Sequence, residues 1–323
     1  RDMLWVVIGV VALLVLAWIL APYFDWRAVD GQAVEAHIAR TSFRCAPGEL
    51  VPAAWKAPEL ALSVIVPAYN EEDRLPHMLD ETLTYLEQRA AAGPVGAFSY
   101  EVIVVDDGSN DGTYRAALET QTLAGEQIGR RRGGELRVMQ LSANRGKGFA
   151  VRAGVLAARG RLILMADADG ATSIRDLEQL ERALERQGGT SMNIVFGSRH
   201  HLRGQGLAKR STLRNLLMLG FHTVVWLFIG GPLHDTQCGF KLFRANVGKH
   251  IFASLHLFRW AFDIEVVLLA RILGIAVAEV PVTFVDMPGS KLNVASASIT
   301  MLRDILLLRV LYVLGVWQPA PLP

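Results

Sequence analysis

The chain has 323 residues, half of them apolar, with 33 Lys and Arg against 31 Asp and Glu. That length fits one large α/β domain or two smaller ones, and the near-zero net charge implies no nucleic acid or other polyanion as partner of the whole molecule. The only two cysteines, Cys45 and Cys238, argue against a disulfide framework and suit a reducing compartment, each reading as an unpaired structural thiol.

Mean hydropathy is positive, and the excess is localised at the start. Met3 to Ala21 is a continuous apolar run flanked by Trp5, Trp18, Tyr23 and Trp26. It matches the ~20 residues that cross a bilayer, with rings at the interfaces. It is long for a signal-peptide core, has no basic segment before it beyond Arg1, and ends in Ala21-Pro22-Tyr23 rather than a small-x-small site. A retained transmembrane anchor (1–24) is therefore favoured over a cleaved leader. Arg27 is offset by Asp25 and Asp30, so charge does not set its orientation.

Residues 25–59 form a polar linker with one short helix predicted near Ala33 to Arg40. From Leu60 strands and helices alternate. Leu62 to Val66 predicts a strand, Leu75 to Ala92 a helix, Tyr100 to Val105 a strand, and Thr113 to Leu123 a helix. After a solvated loop from Gly125 to Gly134 come a strand at Leu136 to Leu141, a helix at Gly148 to Ala158 and a strand at Arg161 to Met165. Ile194 to Phe196 is a further strand. Such alternation predicts an open, mostly parallel, doubly wound sheet flanked by helices. Ligands of such sheets collect outside the carboxyl ends of the strands. Three strands end in Ala68-Tyr69-Asn70-Glu71, Asp106-Asp107-Gly108-Ser109 and Asp167-Ala168-Asp169, so these acidic turns are expected to face one crevice. Beyond Arg199 the pattern shifts to apolar helices broken by loops. Leu216 to Ile229 and Ile299 to Val316 are expected to be core helices or amphipathic helices in a membrane interface.

Asp167 and Asp169, two positions apart on extended chain, point to the same side. A hard cation, Mg²⁺ or Mn²⁺, uses such carboxylates and completes its shell with water and substrate phosphates. No GxGxxG follows the first strand and no GxxxxGK[ST] occurs anywhere, which argues against NAD enzymes and P-loop NTPases. Arg199, Arg203, Lys209, Arg210 and Arg214 form an acid-free basic segment directly before the apolar helix at Leu216. Guanidinium forks match phosphate oxygens, so Arg199, Arg210 and Arg214 are candidate ligands for the phosphate of a lipid acceptor.

Val66-Pro67-Ala68-Tyr69-Asn70-Glu71-Glu72, Val105-Asp106-Asp107-Gly108-Ser109, Asn144-Arg145-Gly146-Lys147-Gly148 and Asp167-Ala168-Asp169 resemble, in order and spacing, the GT-A glycosyltransferases of family 2. That resemblance implies a GT-A, Rossmann-like fold. It also implies a sugar-nucleotide site in which Pro67, Ala68, Tyr69 and Glu71 frame the nucleoside, Asp106 bonds the base or ribose, and Asp107 and Lys147 lie close by. Asp167 and Asp169 would hold ribose, diphosphate and metal. Read singly, Tyr69 could equally be a core ring, Asp107 a turn former and Lys147 a surface charge. His234 to Lys241, Arg259 to Glu265 and Gly289 to Leu292 resemble the branch acting on dolichyl phosphate with UDP-glucose. His256-Leu257-Phe258-Arg259-Trp260 also echoes the QxxRW signature of processive synthases, with His for Gln, but one apparent span is too few for an export channel.

The resemblance thus divides the chain into a nucleotide-sugar half (60–198), an acceptor half (199–298) and a membrane-proximal helix and tail (299–323). It implies a single-pass protein of the endoplasmic reticulum membrane with its catalytic domain facing the cytosol. Asp235 would orient the sugar and, with Asp169, count as catalytic, while Lys291 and Arg259 would assist the leaving diphosphate. Asp263 and Glu265 read equally as site acids or structural helix acids. A mannosyltransferase using GDP-mannose and a non-catalytic tethered nucleotide or lipid binder are the alternatives; oligomeric state is left open.

Overall fold

The computed structural model describes residues 12–21, 23, 57–94, 96–128, 134–186, 193–202, 233–285 and 294–319. Among them the elements run β1 (Leu60–Ala68), α1 (Leu75–Ala91), β2 (Tyr100–Asp106), α2 (Thr113–Ile128), β3 (Gly134–Gln140), α3 (Lys147–Ala157) and β4 (Gly160–Ala166). There follow α4 (Leu177–Arg186), β5 (Asn193–Ser198), β6 (Phe240–Arg244), α5 (Ala245–Ala253), α6 (Phe262–Ile272), β7 (Ala276–Pro281) and α7 (Val294–Val313). Short 3₁₀ turns cover Ile174–Asp176 and His200–Leu202.

One sheet has the order β3-β2-β1-β4-β6-β5-β7. Strands β1 to β4 pair in parallel, as do β5 and β7, whereas β6 runs antiparallel between β4 and β5. Crossover helices cover both faces, so the central strands are continuously apolar. Ile65, Ile103, Val105, Ile163 and Phe196 pack on one face with Phe149, Phe252, Phe262 and Leu308. Val64, Val66, Val102, Val104 and Leu164 pack on the other with Leu75, Leu79, Leu177 and Leu180. The alternation of Val64, Ile65 and Val66 between the two cores is the period-2 geometry of a strand.

The first four strands lie where the sequence pattern puts them, within one or two residues. Strands β6 and β7 fall in the region expected to hold helices and loops, as do α5 and α6. Strand β6, Phe-Lys-Leu-Phe-Arg, reads poorly because it carries a lysine into the core. Lys241 is wholly buried, 2.8 Å from Asp263 Oδ1 and 2.5 Å from the Cys238 carbonyl, with its ammonium 4.9 Å from the Phe196 ring centre. Since β6 is hydrogen-bonded between β4 and β5, the segments before and after residue 198 share one sheet.

Residues 12–21 are helical, and Ile19, Leu20 and Tyr23 pack against the core. Arg303 of α7 places its guanidinium 4.9 Å from the Trp18 ring centre. Among the described residues no helix is long and apolar enough to cross a membrane. Helix α7 buries Met301, Ile305, Leu308 and Leu311, and leaves Ile299, Leu302, Leu306, Val310 and Val313 exposed as a stripe at helical spacing. The segment 216–229 lies outside the described residues.

Candidate active site

The carboxyl ends of β1, β2 and β4 open into a cavity of about 620 Å³, a volume suited to a nucleotide-sized ligand. Pro67, Ala68, Tyr69 and Glu71 line it from β1; Asp107, Asn144, Gly146 and Lys147 from the loops after β2 and β3; and Asp167 and Asp169 from β4. Arg74, Arg259, Trp260 and Phe284 complete the wall. The sheet order places β1 between β2 and β4, which is why the three acidic turns converge.

The turn after β1 depends on Asn70, which adopts a left-handed backbone (φ 56°) that asparagine tolerates better than most residues. Its amide receives support from Ser109 Oγ at 2.9 Å, and its side-chain oxygen accepts the Asn110 N–H at 2.9 Å. Tyr69 is 41 % exposed at the mouth, a ring available for stacking rather than a core ring. Both oxygens of Glu71 already accept from Arg74, one from Nε and one from a terminal nitrogen, each at 2.6 Å. Burial raises its pKa, against the lowering effect of Arg74, and nearby Asp169 and Asp167 add to the rise.

Adjacent Asp106 and Asp107 behave differently. Asp106, expected to bond base or ribose, is fully buried and outside the cavity wall. Its oxygens accept the Ser109 N–H at 3.1 Å and the Gln140 amide at 3.2 Å, so it braces the turn. Asp107 accepts the Arg145 and Gly146 N–H groups at 2.7 and 2.8 Å. Desolvation pushes its pKa up to about 6 despite those two bonds. It thereby clamps the loop that starts α3 and presents Lys147. Gly146 is required there: at φ 102° an added Cβ would lie 2.5 Å from the Phe258 carbonyl.

Lys147 Nζ lies 2.7 Å from Asp167 Oδ1. That oxygen is buried and, apart from this ion pair, has no hydrogen-bond partner. Desolvation alone would lower the Lys147 pKa, but Asp167, Asp263 and Asp169 together outweigh it and the net shift is upward. Asp169 accepts the Ala171 N–H at 3.0 Å through Oδ1. Among the described residues no group of three His, Cys, Asp or Glu forms a closed metal cage. Two carboxylates, one of them held only by an ammonium on a flexible stem, instead suit a hard cation that draws its remaining ligands from phosphate and water. Asp167 Oδ2 packs so closely on Gly239 that a Cβ there would lie 2.0 Å away, because β6 begins directly beside the end of β4.

Two of the expected site residues form an ion pair with each other. Arg199 donates to Asp235 from Nε at 2.7 Å, from a terminal nitrogen at 2.9 Å and from its backbone N–H at 3.0 Å. Desolvation would raise the Asp235 pKa, yet the Arg199 hydrogen bonds and charge hold it at about 2. Asp235 is thus a buried, ionised carboxylate whose charge is balanced by Arg199, and two of the five N–H donors of Arg199 are committed to it. Neither residue lines the cavity, and the guanidinium lies 5.2 Å from the centre of the Phe284 ring, which does. Arg210, Arg214 and Lys291 lie outside the described residues.

Glu265 is structural, accepting the His256 and Leu257 N–H groups and the Tyr312 hydroxyl. It fixes the loop that presents Arg259 and Trp260. Asp263 is the partner of Lys241 beneath the site. Cys238 is buried and free, its thiol pushed up to about 11 by burial. Trp260 and Phe284 were not expected in the site; the RW pair echoed in the sequence was the available signal for Trp260, and none marked Phe284.

Residues 63–252 match the model of glycosyl transferase family 2. A protein of Homo sapiens named dolichyl-phosphate beta-glucosyltransferase is 44 % identical, over 88 % of this chain and 87 % of its own. Its Saccharomyces cerevisiae namesake is 37 % identical over 80 % and 77 %. Among solved structures, a glucosyl-3-phosphoglycerate synthase from Mycobacterium tuberculosis, in complex with Mn²⁺ and UDP-glucose, shares the fold. Its TM-score is 0.52 at 19 % identity, over 78 % of this chain and 79 % of that one. A mannosyl-3-phosphoglycerate synthase from Rubrobacter xylanophilus has a TM-score of 0.52 at 18 % identity, over 92 % and 83 %. The chain belongs to glycosyl transferase family 2, among the relatives named dolichyl-phosphate beta-glucosyltransferase.

Proposed function

We propose that the protein is an inverting glucosyltransferase that moves glucose from UDP-glucose to dolichyl phosphate, giving dolichyl β-D-glucosyl phosphate for assembly of N-glycan precursors. One observation carries the reading: a single cavity combines an exposed ring, Tyr69, with the acids Asp167 and Asp169 and the cations Lys147 and Arg259. A ring stacks on a base, and an acid pair with flanking cations handles a diphosphate. The names of the relatives supply the acceptor.

Asp167 and Asp169 would hold Mg²⁺ or Mn²⁺, which when bound screens the diphosphate charge. Lys147 and Arg259 stabilise the departing UDP. A phosphate oxygen of the acceptor attacks the anomeric carbon, the bond from that carbon to the β-phosphate oxygen breaks, and its electron pair leaves with UDP. Inversion converts the α-linkage to β. A phosphate monoester has its second pKa near ~6 and is already largely a dianion at neutral pH, so the nucleophile needs no general base. An Asp235 whose charge is balanced by Arg199 is compatible with this chemistry. The basic segment from Arg203 to Arg214 is proposed to meet the lipid phosphate.

In this reading the apolar run from Met3 to Ala21 anchors the chain in the endoplasmic reticulum membrane as a single pass. The exposed stripe of α7 lies on the bilayer surface and the catalytic domain faces the cytosol. Incubating the protein with dolichyl phosphate in detergent and either labelled UDP-glucose or labelled GDP-mannose tests the donor. Transfer from UDP-glucose, lost with EDTA, is expected; transfer from GDP-mannose alone would replace this function with a mannosyltransferase, and no transfer from either with the binder.

Gly239→Ala tests the packing of the acid pair. The new methyl must displace the Asp167 carboxylate, and a shift of about 1 Å at a reacting centre costs roughly 10²-fold in rate. A fall of that order in glucose transfer, with the thermal melt within a few degrees of wild type, is expected; unchanged transfer would remove Asp167 from the site.

A further inference from the structure

Lys147 is an odd residue for its place. It is the first residue of α3, at the positive end of the helix dipole, where a cation is disfavoured. What holds it there is negative charge. Its ammonium contacts Asp167 at 2.7 Å and is within Coulomb range of Asp263 and Asp169. Asp263 is already tied to Lys241 at 2.8 Å, which leaves Asp167 as the contact that can change. The loop behind the lysine is fixed by the clamp of Asp107, but the side chain is a flexible four-carbon stem. The face of Trp260, 6.0 Å from Nζ, offers the ammonium a second resting place further along the cavity wall.

We infer that Lys147 occupies the place of the divalent cation on Asp167 and yields it as a diphosphate arrives, so that metal and nucleotide bind with positive coupling. This rests on the sugar-nucleotide reading of the cavity. Without nucleotide, the ammonium and an incoming cation compete for one carboxylate. With nucleotide, the ammonium pairs with phosphate oxygens, and Asp167 is released to the metal. By linkage the metal must improve nucleotide affinity by the same factor as the nucleotide improves metal affinity. A lysine that merely touched the diphosphate would change nucleotide affinity equally with and without metal and would contribute nothing to that factor.

The test is calorimetric titration of the full chain in detergent with Mn²⁺, alone and with saturating UDP, for wild type, Lys147→Met and Arg259→Met. Thermal melts confirm that each variant is folded. For Lys147→Met, Mn²⁺ alone should bind at least about tenfold more tightly than to wild type, and the tightening produced by UDP should shrink at least about fivefold. Arg259→Met removes a cation of the same cavity and should change the affinity for Mn²⁺ alone by less than about twofold. An unchanged coupling factor in Lys147→Met, or an equal gain in Mn²⁺ affinity in both variants, overturns the inference and leaves the sugar-nucleotide reading standing. Failure of wild type to bind UDP even with Mn²⁺ overturns both.

Discussion

Asp169→Asn should lower glucose transfer by roughly 10³-fold, about 4 kcal/mol of transition-state stabilisation, while the protein melts as the wild type does. The choice of asparagine matters. Asp169 Oδ1 accepts the Ala171 N–H at 3.0 Å at the end of β4, and an amide oxygen keeps that bond. Alanine would lose it, at a cost of about 1 kcal/mol, and confuse a local loosening with loss of charge. What asparagine removes is one of the two charges of the Asp167 and Asp169 pair, in a cavity also lined by Glu71, Asp107, Lys147, Arg74 and Arg259. The loss should appear in turnover at saturating donor and should be relieved only in part by raising Mn²⁺. Steady-state transfer with a melting curve on the same preparation decides the matter. If Asp169→Asn retains more than a tenth of wild-type turnover, the second acid of the pair has no part in holding the cation.

The half of the site that could be read in advance is the half built by parallel strands. A strand buried on both faces gives an unbroken apolar run, and the turn that ends it is polar by necessity, so Asp107, Asp167 and Asp169 announce themselves. The rest depends on contacts that sequence spacing does not encode. Asp106 and Asp107 are neighbours of the same type, and which of them meets the cavity is set by how the turn closes on Ser109 and on the loop at Gly146. Strand β6 hides behind Lys241, a charge that the core accepts only because Asp263 on α6 and the Cys238 carbonyl receive it. Arg199 and Asp235 are 36 residues apart and meet because the antiparallel pairing of β5 with β6 returns the chain to where it left. A basic segment therefore read as a free phosphate receptor, although its first arginine already had a partner.

That partnership makes Asp235→Asn the most destabilising change expected near the site. The carboxylate is 4 % exposed and receives three N–H donors from Arg199, so removing its charge strands the guanidinium. Loss of one partner of a buried pair costs about 3–5 kcal/mol; Arg199 is 33 % exposed, and water access brings the expected loss to about 2–3 kcal/mol. The acid dependence follows from the lowered pKa. A carboxyl near 3.8 in the unfolded chain and about 2 in the fold stabilises the protein above pH ~4, and that contribution disappears as pH falls toward ~2. Wild type should therefore lose about 1–2 kcal/mol from this group across that window, and Asp235→Asn should lack that part of its acid dependence. The double replacement Arg199→Met with Asp235→Leu removes both charges and should be less destabilised than the sum of the two single changes. Denaturant unfolding of wild type, Asp235→Asn, Arg199→Met, Asp235→Leu and the double replacement, at pH 7 and through the acid range, measures each quantity. Glucose transfer by Asp235→Asn, assayed well below its melting temperature, should fall no more than about tenfold. A loss near 10³-fold with unchanged stability would make Asp235 a group that acts on the sugar directly, with Arg199 serving to orient it.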